Sequence, residues 1–399
     1  MPAEPSTAAP DLDSNALWGP DWPEVRALWP LEATVSHLNH GSYGAVPTPV
    51  LTEQQSWRDR MESNPVRFFT RELPVALESA RAEVEAFLGA AAGSLAFVPN
   101  ATSAASTVLA GFPLGPEDAV LLTDHSYGAV RIAATRWTGR AGARLDTVHV
   151  PLGADDASVV DTVLGAVHGG TRLVVLDQVT SPTARRLPLV DLVPALRDRD
   201  VAVLVDGAHA PGMLDVDLSR IGADFWIGNL HKWCCAPRGS AVLHAAEPWR
   251  RQLLPLVASW GEPAGFPTAF DDTGSNDHTA WLAAPRALRL LESLGLDRLR
   301  RHNVELAVAG QLEVAAALHV DPADLPRDPA LSMQLVSLPA GLVTNETEAA
   351  ALQARIGKEA AVEVAVTTWA GHGFVRLSAH AYNSPADYRR LAAALPGLL

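Results

Sequence analysis

Short, unbroken apolar runs separated by helical patterns are what most limits the folds open to this chain. Leu95–Val98, Ala119–Thr123, Leu173–Asp177 and Ala202–Val205 are each apolar along almost their whole length. A strand that is apolar on both sides must be buried on both faces, as in a parallel sheet covered by helices. Helical stretches fall between the runs. Pro74–Leu88 carries Val75, Leu77, Val84, Phe87 and Leu88 and stops at Gly89. Ala101–Leu109 is capped by Asn100 or Thr102, and Tyr127–Arg136, Ala157–Val167 and Leu189–Arg199 follow. Arg144–Val150, Phe225–Gly228 and Gly239–His244 complete the expected strands. The alternation predicts an α/β fold with a mostly parallel sheet.

After about Ala280 the pattern changes. Ala284–Val308 reads as one long helix with Leu288, Leu290, Leu291 and Leu294 on one side. Met333–Leu338, the helix Glu346–Arg355, the strands Val362–Thr367 and Phe374–Ser378 and the helix Pro385–Leu395 follow, which predicts a smaller C-terminal α+β domain. The expected division is a disordered tail over residues 1–15, an N-terminal arm over 16–45 that joins the small domain and the active-site mouth, a large domain over 46–280 and a small domain over 281–399. A length of 399 residues with 48% hydrophobic content is ample for two cores.

The net charge of −14 disfavours nucleic acid and anionic membrane as partners. No apolar run reaches the roughly 20 residues needed to span a bilayer. The N-terminus lacks the basic and apolar regions of a signal peptide. Cys234 and Cys235 are adjacent, an arrangement that disfavours a disulfide, and two thiols cannot complete a zinc site. They read as small buried side chains in a reducing, cytoplasmic setting.

Lysine occurs only at Lys232 and Lys358; the other 29 of the 31 basic side chains are arginine. Arginine supplies charge but cannot form an imine, so a lysine kept in Gly228-Asn229-Leu230-His231-Lys232-Trp233 is a candidate for Schiff-base chemistry. Lys358, in a polar helix end, reads as a solvated charge. Asp206 ends a buried strand, in Val203-Leu204-Val205-Asp206-Gly207-Ala208-His209-Ala210-Pro211-Gly212, at the edge where open α/β sheets bind ligands. An amine and an acid so placed suit a pyridinium cofactor. The amine holds the aldehyde, and the carboxylate keeps the ring nitrogen protonated. Pro99-Asn100-Ala101-Thr102-Ser103-Ala104 follows a strand and opens a helix, a fit for a phosphate.

With these motifs, and with Leu38-Asn39-His40-Gly41-Ser42-Tyr43-Gly44 and Arg376-Leu377-Ser378-Ala379-His380, the chain resembles the class-V aminotransferase family of fold-type-I pyridoxal-phosphate enzymes from Leu38 to its C-terminus. It is most similar to the branch holding isopenicillin N epimerase and C–S lyases. The resemblance implies a seven-stranded-type sheet in the large domain, pyridoxal 5'-phosphate as cofactor and an amino acid as substrate. It also implies a homodimer with shared active sites.

Residue by residue, the resemblance makes Lys232 the Schiff-base lysine and the acid/base at the substrate α-carbon. It pairs Asp206 with the ring nitrogen and brings His209, with Thr180 or Ser181, to the phenolic oxygen. Thr102 and Ser103 bind phosphate, helped by Asn229 and His231. Tyr127 stacks on the ring and is a candidate second acid/base. Arg376 clamps the substrate carboxylate. His40, Ser42 and Tyr43 either line the active-site mouth or shape the N-terminal arm. Thr273-Gly274-Ser275-Asn276 matches the segment that crosses to a partner's phosphate, with Ser275 in place of the usual threonine.

The reaction implied is C–S β-elimination, or decarboxylating deamination, of an S-conjugated cysteine in specialised, antibiotic-type metabolism. Epimerisation and transamination are the alternatives. A persulfide mechanism is disfavoured, because no cysteine follows Cys235. A non-catalytic, cofactor-binding regulator is disfavoured for want of room and basic charge for a DNA-binding module.

Overall fold

The structure is a computed structural model that describes residues 22–399. The expected tail over residues 1–15 and the first part of the arm lie outside the described residues. The chain forms two compact units. One is Tyr43–Leu294; the other joins the described residues up to Ser42 to Gly295–Leu399.

The larger unit begins with helices α1 (Thr48–Ser63) and α2 (Leu73–Phe87). Its sheet is built from β1 (Leu95–Val98), β2 (Ala119–Thr123), β3 (Arg144–Val148), β4 (Thr171–Asp177), β5 (Ala202–Asp206), β6 (Phe225–Asn229) and β7 (Ala241–Ala245), in the order β1-β7-β6-β5-β4-β2-β3. The strands β3, β2, β4, β5 and β6 run parallel, while β7 is antiparallel to both β6 and β1. The crossovers carry α3 (Ala101–Gly111), α4 (Gly128–Ala141), α5 (Asp156–Ala166) and α6 (Leu189–Arg197), and α7 (Ala284–Leu294) closes the unit.

The expected runs became buried strands because both their faces are apolar, with Leu95–Val98 at one edge of the sheet and the others inside it; Val120, Leu122, Val175, Leu204, Ile227 and Leu243 all lie in one core. Burying side chains of this size contributes about 1.5–3 kcal/mol each. The strand β3 mixes Arg144, Asp146 and Thr147 with Leu145 and Val148, stays partly exposed and occupies the sheet edge, where charge discourages further pairing.

The smaller unit holds α8 (Leu296–Ala317), α9 (Glu346–Ala360) and α10 (Pro385–Leu398) against an antiparallel sheet. That sheet is made of β8 (Met333–Ser337), β9 (Ala365–Trp369) and β10 (His372–Ser378), in the order β9-β10-β8. A two-residue parallel pairing joins Ser36–His37 to Val362–Glu363. Leu306, Val336, Val375, Leu377, Tyr388 and Leu391 form its core.

Two expectations are corrected. The single helix over Ala284–Val308 is two helices, because Gly295 adopts φ +82°, outside the helical range. The strand over Val362–Thr367 is divided at Val364, so that its two parts pair with different strands.

Candidate active site

Three neighbouring strands end at one edge of the large sheet and deliver Asp177 from β4, Asp206 from β5 and Asn229 from β6. Ligands collect at this edge in open α/β sheets because the strands stop there and the loops diverge. Lys232 follows β6 in a tight turn. The Leu230 and His231 amides both donate to the Ser240 carbonyl, and the Cys235 amide donates to the Lys232 carbonyl at 2.9 Å. The backbone of Cys235 sits at φ +57°, a left-handed conformation rare outside glycine. Two glycines hold the turn from outside. A Cβ on Gly44 would come within 2.8 Å of the Lys232 carbonyl oxygen. One on Gly212, which has φ +84°, would clash with the Trp233 carbonyl oxygen.

The lysine amine lies 3.1 Å from His209 Nε2, and Trp233 Nε1 donates to His209 Nδ1 at 3.4 Å. Asp206 is 4% exposed, and its carboxylate accepts from the Ala208 amide at 2.9 Å. Burial raises the Asp206 pKa, and the Ala208 amide and the positive charge of Lys232 pull it back. A carboxylate this buried, with so few donors, calls for a cation or an N–H group against it.

The phosphate end expected from the sequence is an orderly helix N-terminus. Asn100 caps α3, its Oδ1 accepting from the Ser103 amide at 2.8 Å and from the Ser103 hydroxyl at 3.1 Å. Asn229 Oδ1 accepts from the Ala101 amide at 2.9 Å, so the expected phosphate helper is also a strut between β6 and α3. Thr102 is exposed, and its amide and hydroxyl have no partner among the described residues, which leaves donors at the positive end of an 11-residue helix. His231 Nδ1 sits 2.8 Å from the Ser240 carbonyl, and burial lowers its pKa to about 4, so the ring is neutral.

Other expected residues take less direct positions. Thr180 is fully buried; its hydroxyl pairs with Thr183 Oγ1 at 2.7 Å and accepts from the Arg185 amide at 2.9 Å. The Thr183 hydroxyl in turn meets His125 Nδ1 at 2.7 Å, and His125 Nε2 meets the Val150 carbonyl. This chain fixes the loop after β4 against the turn after β2, and His125 in it was missed because a histidine in a loop carries no periodic signal. Tyr127 is the residue before α4 and is 45% exposed. Ser275 is exposed and lines a cavity of about 810 Å³ with Phe69, Arg81 and Asp271. Its neighbours Thr273 and Asn276 line a second, of about 430 Å³, with Ser103 and Thr107. Tyr43 is exposed.

In the smaller unit Arg376 is buried on β10 and donates from Nη2 to Ser42 Oγ at 2.7 Å. His40 is fully buried, stacks on His380 at 4.2 Å between ring centroids and pairs through Nδ1 with the Tyr382 hydroxyl at 2.8 Å. Ser42 and His40 are therefore integral to the packing of this unit.

The residues of the larger unit fit pyridoxal phosphate. A primary amine, a buried acid short of donors and unpartnered amide and hydroxyl groups at a helix N-terminus suit an aldehyde, a ring nitrogen and a phosphate in turn. Residues 44–391 match the family described as aminotransferase class-V. Isopenicillin N epimerase of Streptomyces clavuligerus is 33% identical, the alignment covering 95% of this chain and 98% of that protein. A probable chloroplastic L-cysteine desulfhydrase of Arabidopsis thaliana is 30% identical over 91% of this chain and 83% of that one.

Among solved structures, the cysteine desulfurase CsdA of Escherichia coli superposes with a TM-score of 0.76 at 18% identity, over 94% of this chain and 98% of that one. The cystine C–S lyase C-DES, in complex with cysteine persulfide, superposes with a TM-score of 0.77 at 20% identity, over 91% and 97%. At these identities the likeness to the solved structures is one of fold. The match over residues 44–391 and the full-length relatives place this chain in the class-V aminotransferase family, with a fold-type-I architecture and pyridoxal 5'-phosphate as its cofactor.

Proposed function

We propose that the protein cleaves the C–S bond of a cysteine-type substrate by β-elimination. The observation that carries this reading is the Lys232 amine held 3.1 Å from His209, in a strained turn at the sheet edge where Asp206 is buried. Relatives named L-cysteine desulfhydrase, aligned over most of their length, support it. Bound pyridoxal phosphate supplies the sink for the electron pair released at the substrate α-carbon.

The chain's own side chains do the rest. Lys232 anchors the cofactor and, once the substrate amine has displaced it, takes the α-proton. Asp206 keeps the proton on the ring nitrogen. His209, its Nδ1 taken by Trp233, sets Nε2 against the lysine amine and orients it. Asn100 and Asn229 hold α3 so that the Thr102 amide and hydroxyl meet the phosphate. Arg376 is the proposed ligand of the substrate carboxylate, a two-pronged task suited to guanidinium. The Cβ–S bond breaks with its electron pair on sulfur, the thiol leaves protonated, and hydrolysis of the remaining three-carbon fragment gives pyruvate and ammonia.

A second reading, epimerisation at the α-carbon, draws on the relative named isopenicillin N epimerase. It shares every step through α-proton removal and differs in returning a proton to the opposite face. Cys234 and Cys235 are fully buried, which argues against a persulfide carrier on this chain.

The deciding experiment incubates the holoenzyme with L-cysteine and S-alkyl cysteine conjugates in deuterated water, with mass spectrometry of the products. Pyruvate and free thiol support elimination. Deuterium at an inverted α-carbon without any keto acid defeats it in favour of epimerisation.

We further read the protein as a homodimer. Leu254, Leu256, Val257 and Trp260 are exposed in one short segment, Trp260 at 93%. Leu256 and Val257 share a cavity with Thr273 and Asn276 of the segment expected to cross to a partner. An apolar run this exposed beside that segment suits a second copy of the chain.

A further inference from the structure

Asp177 is a buried titratable group that the proposed mechanism leaves unused. It ends β4 as Asp206 ends β5, and the two are register partners on neighbouring parallel strands. Register partners point to the same face of a sheet, and strands lie about 4.8 Å apart. Asp177 is 2% exposed and Asp206 4%. Two carboxylates so close and so dry cannot both hold a negative charge without strong repulsion.

Their surroundings differ. Lys232 acts on Asp206, which also takes the Ala208 amide. Asp177 faces Ser126 and the Tyr127 amide from the turn after β2, and Arg131 from α4. None of these completes its shell: neither Asp177 Oδ2 nor Ser126 Oγ makes a hydrogen bond among the described residues. His125, in the same turn, is engaged by Thr183 and the Val150 carbonyl.

We propose that Asp177 is a positioning residue: a carboxyl kept protonated beside Asp206, so that the pair carries one negative charge and that charge stays on Asp206, toward Lys232. The neutral acid has a proton to offer the Ser126 hydroxyl oxygen and leaves Asp206 as the sole anion for the ring nitrogen. Burial and the neighbouring Asp206 both push the Asp177 pKa well above the carboxylate range, which agrees with the geometry. The functional half of the proposal rests on the pairing of Asp206 with the cofactor ring; the shared charge does not.

Isotope-edited infrared spectroscopy tests it, on full-length protein with carbon-13 in the aspartate carboxyls, first with cofactor bound and then after its removal. The wild type should show a protonated-carboxyl band at neutral pH. Asp177→Asn should abolish it. Asp206→Asn, by removing the like charge, should move its titration to lower pH. Absence of the band in the wild type, its survival in Asp177→Asn, or an unmoved titration in Asp206→Asn would overturn the shared charge. If instead those results hold but Asp206→Asn takes up pyridoxal phosphate as tightly as the wild type, the ring-nitrogen assignment falls, and with it the role given to Asp177.

Discussion

Lys232 and Asp206 were legible as residues because each is out of place by composition: one of two lysines, and an acid closing an apolar strand. Asp177 closes an apolar strand too, but a lone acid in sequence does not reveal that the next strand sets another beside it. The lysine yields the plainest prediction. Lys232→Ala should lose the covalent adduct trapped by borohydride reduction while keeping the far-ultraviolet circular dichroism of the wild type; a trapped adduct in the variant would assign the imine elsewhere. Asp177 gives a stability prediction with a definite sign. Its folded-state pKa is raised, so the folded protein keeps a proton that the unfolded chain releases above about pH 3.9. Its contribution to stability is full below that pH and declines as pH rises toward the folded value. In thermal melts of the cofactor-free protein, Asp177→Asn should therefore gain on the wild type between about pH 4 and about pH 7. A constant difference across that range would mean that Asp177 is ionised in the folded state.

Elements explain why the chemistry sits where it does. The α3 N-terminus was legible from Asn100, Thr102 and Ser103, and Asn100 is the cap. The second strut, from Asn229 to the Ala101 amide, joins residues 128 apart in sequence and is set by the register of β6. Asn100→Ala should cost about 1 kcal/mol of stability in denaturant melts and weaken cofactor retention, as capping losses at helix termini do. Asn229→Ala should match it in retention, because it frees the neighbouring amide of the same terminus. The turn after β6 behaves as an element of its own. Gly44→Ala places a carbon against the Lys232 carbonyl, so the turn must shift. That variant should keep its fold by circular dichroism yet bind pyridoxal phosphate at least tenfold more weakly in a fluorescence titration, a loss of about 1.4 kcal/mol. Unchanged affinity would show that the turn tolerates displacement.

At the scale of the whole molecule, the prediction concerns association. Trp260→Glu puts a charge where a second copy should close over Leu256 and Val257. Light scattering behind size exclusion should show a smaller mass for the variant than for the wild type at equal concentration, and equal masses would remove this face from the interface. The sequence by itself determined the α/β class and a mostly parallel sheet, and it singled out one amine and one acid as candidates. Apolar runs can be satisfied only by burial on two faces, and imine chemistry has few candidate side chains. The tertiary structure alone decided that the helix past Ala284 breaks at Gly295 and that Thr180 is spent on a local hydroxyl chain. It also decided that Asp177 shares its strand end with Asp206. Each of these depends on which strands become neighbours, and neighbour choice follows from packing of the entire core rather than from any local pattern.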